Sequence, residues 1–180
     1  VVSGGNVAVG VFARADYGTA SVTNSGDITA SNFGGYYTGY SAYGVFARGA
    51  YAEVANSGSI TAEGNAYATG IAATSYYGTT VHNTGGSITA YALGGAIGIN
   101  ATSLLGDVDV DNATGIAASS CYGTTVHNTG SDITVSADGG LVYVAGYYGG
   151  YYALVGEAIG INANSLLGDV DVDNASNIHV

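Results

Sequence analysis

Apolar and polar residues alternate along this chain with a period of two, in short bursts separated by Gly- and Asn-containing turns. In GIAATSYYGTTVHNTGGSITA, residues 70–90, the alternation predicts a short strand (GIAATS), a turn, a second strand (TTVHN), a turn at NTG and a third strand (SITA). The same unit, usually with its third strand and a loop of variable length, starts at Gly10, Gly44, Gly70, Gly98, Gly115 and Gly160, six copies in all. Residues 115–135 repeat 70–90 except at Ser119, Cys121, Ser131, Asp132 and Val135. Residues 159–176 repeat 97–114 except at Asn164 and Ser176, so a pair of units is duplicated in tandem.

A unit this short cannot bury a face by itself, so repeated units stack, each a rung on the one before it. Stacking turns repeated positions into columns. The first strands supply Val11, Val45, Ile71, Ile99, Ile116 and Ile161, and the second strands Val22, Val54, Val81, Val110, Val126 and Val172. The third strands supply Ile28, Ile60, Ile88 and Ile133, with Ile178 in the last rung. Three inward apolar columns predict a three-sided tube, an all-β parallel β-solenoid of six rungs forming one domain over residues 1–180. Rung spacing of about 4.8 Å makes it a rod about 29 Å long. The turn residues Asn24, Asn56, Asn83, Asn112, Asn128 and Asn174 form a further column, in which side-chain amides can bond up and down the axis.

Composition agrees with strands and tight turns: 31 Gly, no Pro, Met or Trp, and 47% hydrophobic residues, mostly Ala, Val, Ile and Tyr. The net charge is −11 and the only cations are Arg14 and Arg48, expected side by side in one outward column. That balance argues against binding nucleic acid or anionic lipid. The apolar run 141–156 carries four glycines and reads poorly as a membrane helix, so no membrane insertion is expected. Cys121 stands where Tyr76 stands in an earlier rung and reads as a small buried residue.

GDVDVDN occurs at 106–112 and again at 168–174. Because Val108 and Val110 face inward, Asp107, Asp109 and Asp111 face solvent, as do Asp169, Asp171 and Asp173. Just before the turn Asn, the last four rungs then alternate His82, Asp111, His127 and Asp173 in one outward column. Charge spacing on a solvated face is the first reading. The sharper one is a divalent metal shared between imidazole and carboxylate on adjacent rungs. The spacing matches no calcium loop, and no cofactor is implied.

The sixteen tyrosines concentrate in loops, SNFGGYYTGYSAYG at 31–44 and VAGYYGGYYALV at 144–155. Tyr36, Tyr37, Tyr40, Tyr43, Tyr147, Tyr148, Tyr151 and Tyr152 are the candidate adhesive or assembly surface, since Tyr offers amphipathic contact area at low entropic cost. The competing reading folds these loops over apolar surface. No nucleophile elbow, phosphate loop or metalloprotease helix occurs, so catalysis is not expected.

The common wording GI.A.S..G...V.NSG.I.A, over residues 10–180, resembles the passenger repeats of Gram-negative autotransporters and filamentous-haemagglutinin-like adhesins. The resemblance implies a right-handed parallel β-helix at the cell surface or outside the cell, acting in adhesion, aggregation or biofilm formation. The reading is a non-catalytic structural and adhesive rod. Self-association, end-to-end or lateral, and a glycan or cell-surface ligand are the expected partners. The alternative is a subunit of a self-assembling filament, and a weaker one is a polysaccharide-cleaving solenoid enzyme. Joined tail to head, NASNIHV and VVSGGNVAVG complete a rung, which is the sequence argument for the filament. The fourth rung runs from Asn112 through AT to Gly115 without a third strand, so a gap is expected there. The insertion 141–155 reads as a hairpin that covers the gap or projects from the rod.

Overall fold

The computed structural model describes residues 6–32, 40–92 and 95–111 in full and, beyond them, the backbone of the strands named below. The first rung is β1 (Val7–Arg14), β2 (Thr19–Asn24) and β3 (Ile28–Asn32). The second is β4 (Ser41–Asn56), which turns a corner without breaking, and β5 (Ile60–Gly64). The third is β6 (Tyr67–Asn83) and β7 (Ile88–Ala92), and the fourth is β8 (Gly95–Ser103) and β9 (Val108–Asp111). The fifth is β10 (Ile116–Ser120), β11 (Thr124–Asn128), β12 (Ile133–Thr134) and β13 (Ser136–Ala137). After β14 (Gly140–Val144) and β15 (Tyr151–Val155), the sixth is β16 (Glu157–Ala158), β17 (Ile161–Ser165), β18 (Val170–Asn174) and β19 (Ile178–His179).

Every rung-to-rung pairing is parallel and joins equivalent residues, so the protein is a parallel β-solenoid with no helix among the described residues. Val11, Val45, Ile71, Ile99, Ile116 and Ile161 lie in one register, and Val22, Val54, Val81, Val110, Val126 and Val172 in another. Ile28 pairs with Ile60 and Ile60 with Ile88 on the third face. The side chains of Val45, Val54, Ile60, Ile71, Val81, Ile88 and Ile99 are fully buried together.

This core is built of Ile and Val with Ala20, Ala47, Ala52, Ala73 and Ala101 between them. A second core is alanine alone: Ala30, Ala62, Ala90 and Ala92 of the third strands meet Ala42, Ala68 and Ala96 at the start of the next rung. Methyl groups let these two layers come close, and the chain narrows to a thin lobe. Between the cores stands the glycine that opens each unit. A Cβ on Gly44 would collide with Cγ2 of Ile60 and stand 2.6 Å from the Gly70 carbonyl oxygen, and Gly70 is placed the same way against Ile88 and Gly98. The start of the repeat is glycine because backbone passes too close for anything larger.

The gap expected in the fourth rung falls on residues 112–115, which lie outside the described residues. Among the described residues β10 is the next strand after β9, and β13 pairs directly with β7, Ser136 beside Tyr91 and Ala137 beside Ala92. β16 likewise pairs with the start of β8, Glu157 beside Gly95. The fifth rung thus steps down one layer on the narrow side and pairs there with the third. An unpaired parallel edge inside the stack would strand a row of backbone N–H and C=O groups, and the step removes it. β14 and β15 pair antiparallel, Gly140 with Val155 through Val144 with Tyr151.

Candidate functional site

Two corner devices hold the outer surface in place. At the turn from second to third face, Asn24 Nδ2 donates to Asn56 Oδ1 and Asn56 Nδ2 to Asn83 Oδ1, both at 2.7 Å. The same amide nitrogens donate to the carbonyl oxygens of Gly26 and Gly58. Asn56 is 2% exposed, so this is the buried polar ladder expected from the sequence, with Asn24 and Asn56 bonded both to their own turn and to the next rung. The side chains of Asn112, Asn128 and Asn174 lie outside the described residues.

The turn from first to second face is fixed by hydroxyls. Ser75 Oγ accepts from Gly78 N–H at 3.1 Å and Ser103 Oγ from Gly106 N–H at 3.1 Å. Thr79 Oγ1 lies 2.9 Å from Ser75 Oγ and donates to the Thr102 carbonyl at 2.7 Å. Ser75, Thr79 and Ser103 are all buried. Consecutive turns also bond each other, Leu104 N–H to Ser75 O and Leu105 N–H to Tyr76 O.

Outside this second device, every described rung sets a large side chain in solvent: Tyr17, then Tyr51, then Tyr76 and Tyr77, then Leu104 and Leu105, all between 46% and 99% exposed. Tyr51 and Tyr77 rings lie 5.8 Å apart across adjacent rungs, and Tyr76 lies 6.1 Å from Tyr77. This corner ridge was not among the tyrosines singled out from the sequence. The signal was there, a large apolar residue immediately before the turn glycine in Tyr17-Gly18, Tyr77-Gly78, Leu105-Gly106, Tyr122-Gly123 and Leu167-Gly168.

Of the sequence candidates, Tyr43 lies edge-on to Phe46 at 5.5 Å, and Phe46 stacks on Phe12 at 5.4 Å, making an aromatic patch on the first face. Tyr40 is partly buried just before β4. Tyr151 and Tyr152 belong to β15, opposite Val144 and Tyr143, and their side chains are outside the described residues. Tyr36, Tyr37, Tyr147 and Tyr148 lie wholly outside them. Arg14 and Arg48 are register partners, as the column argument requires, and Arg14 pairs with Asp16 at 2.8 Å.

The backbone register sets His82 beside Asp111, Asp111 beside His127 and His127 beside Asp173. His82 Nδ1 is 3.6 Å from Asp111 Oδ2, with both side chains more than two-fifths exposed. The side chains of His127 and Asp173 are outside the described residues, and among those described no three His, Cys, Asp or Glu side chains converge. Set against known protein families, curated proteins and solved structures, the chain matches none.

Proposed function

We propose that this chain is a non-catalytic structural and adhesive β-solenoid working at the cell surface or outside the cell, where exposed aromatic side chains attach it to a partner. One observation carries the reading: large apolar side chains stand in solvent on each of the four described rungs, on a backbone whose corners are locked by buried hydrogen bonds. Contiguous exposed apolar surface on a rigid scaffold is a mark of interaction sites. The wording of the repeats, similar to adhesin passengers, supports an extracellular Gram-negative setting. Beads coated with the chain are expected to attach to bacterial or host cell surfaces, and replacing Phe12, Tyr43 and Phe46 together by Ser to weaken attachment severalfold. Coated beads that attach no better than albumin-coated ones would end this reading.

The filament reading has its own support: among the described residues β1, β2 and β3 are each paired on one side only. Electron microscopy of the chain at high concentration separates the two, since a filament subunit gives rods that lengthen with concentration and an adhesive monomer does not.

A further inference from the structure

We propose that the corner ridge between the first and second faces binds a linear, uncharged polysaccharide that lies along the solenoid axis, sugar rings meeting successive rungs. The proposal rests on the adhesive reading and names its ligand class. Tyr51 and Tyr77 present rings on adjacent rungs, Tyr17 continues the line below and Leu104 and Leu105 continue it above. Rungs recur about every 4.8 Å, a spacing of the order of one pyranose unit in an extended glycan. The apolar faces of sugar rings stack on such side chains, while their hydroxyls need neutral hydrogen-bonding partners. Thr74 and Thr102 provide these on the first-face side of the ridge, their hydroxyls 3.2 Å apart, and Thr80 on the other.

Other occupants fit less well. An extended peptide binds by adding to a free strand edge, but the ridge backbone is already spent: Leu104 and Leu105 N–H bond to Ser75 and Tyr76, and Thr79 N–H to Asp107. An anionic polymer meets Asp107 and a chain of net charge −11, whose two cations flank only the first two rungs, Arg14 already paired with Asp16. The hydroxyl-bonded turns of the third and fourth rungs fix the backbone that carries Tyr76, Tyr77, Leu104 and Leu105, which lowers the ordering cost of binding.

The experiment is native electrophoresis of the full chain in gels containing dissolved hydroxyethylcellulose, mixed-linkage β-glucan, mannan or, as the anionic comparison, alginate. At least one neutral polymer should retard the chain, alginate should not, and added salt should leave the retardation unchanged. Tyr51→Ala with Tyr77→Ala should weaken it about tenfold, the loss expected of stacked rings. Tyr51→Phe with Tyr77→Phe should keep it, and circular dichroism of both pairs verifies the fold. No retardation by any neutral polymer, retardation by alginate alone, or retardation unchanged in the Ala pair overturns the proposal. Concentration-dependent self-association lost in the Ala pair without any retardation assigns the ridge to a second copy and overturns it too. Bead attachment that persists without retardation removes the polysaccharide ridge and leaves the adhesive rod.

Discussion

In the third rung Ile71, Val81 and Ile88 meet in the broad lobe, whereas Ala68, Ala90 and Ala92 line the narrow one. The chain treats the two lobes differently. Turns inside the broad lobe keep nearly constant length, Asn24 to Ile28, Asn56 to Ile60 and Asn83 to Ile88. Length varies after the third strand, where eight residues separate Asn32 from Ser41 but two separate Gly64 from Tyr67. Of the fourth rung only the opening strand is seen in that lobe, through Ala96, and β10 is the next described strand after β9. Burying an Ile or Val side chain contributes about 1.5–3 kcal/mol, an alanine methyl nearer 0.8. A rung can therefore lose its narrow lobe at modest cost, while losing the broad one would open the three columns that hold the stack. The comparison teaches where this rod tolerates insertion.

The sharpest way to break the comparison is to remove volume from the broad lobe. Ile71 is fully buried between Val45 and Ile99 in its column. Ile71→Ala is expected to cost about 4 kcal/mol, because rigid stacked rungs cannot collapse into the cavity. Urea unfolding followed by circular dichroism would register it as a lower midpoint with an unchanged slope.

The narrow lobe should fail in the opposite direction. Ala62 is fully buried among methyl groups, so Ala62→Leu has no space to enter and is expected to cost about 2–3 kcal/mol through overpacking. Ala62→Gly removes only one methyl and should cost less. If both lobes lost stability mainly on deletion, the two-core description would be wrong.

Much of this was legible in the sequence and some was not, for reasons particular residues show. The Val and Ile columns could be read because β-branched residues at period two have one reading in a stacked strand, and the register joins Val11, Val45 and Ile71 as expected. The alanine lobe escaped because Ala is neutral in pattern, and Ala42 or Ala68 beside exposed Tyr67 looks like any small strand residue. The Tyr51 and Tyr77 ridge is hard to read because the large residue before the turn glycine changes type from rung to rung, Tyr17 and Tyr77 giving way to Leu105. The layer step from β7 to β13 was out of reach, since local pattern cannot say which strand edge a later rung will choose.

The Asn ladder lies where the broad lobe turns into its third face, and it ranks next. Asn56→Ala leaves Asn83 Oδ1 and the Gly58 carbonyl without their donor in a buried setting. A loss of about 2 kcal/mol is expected. Asn56→Asp should cost more at neutral pH, since a carboxylate cannot donate to either oxygen, and acidification should recover part of that difference.

The smallest effect belongs to the outside of the broad lobe. His82 and Asp111 are adjacent on neighbouring rungs at 3.6 Å, both of them exposed. Water and salt screen such a pair, so His82→Ala is expected to change stability by less than about 0.5 kcal/mol. A metal site would behave otherwise. If the column His82, Asp111, His127 and Asp173 holds a divalent ion, Zn²⁺ should raise the thermal midpoint of the unmodified chain, and His82→Ala with His127→Ala should remove the rise. The solvated-face reading predicts no rise and no heat on titration with Zn²⁺ or Cu²⁺. Calorimetry at neutral pH decides between them, because an ion shared by imidazole and carboxylate gives a saturable heat while a spaced row of solvated charges gives none.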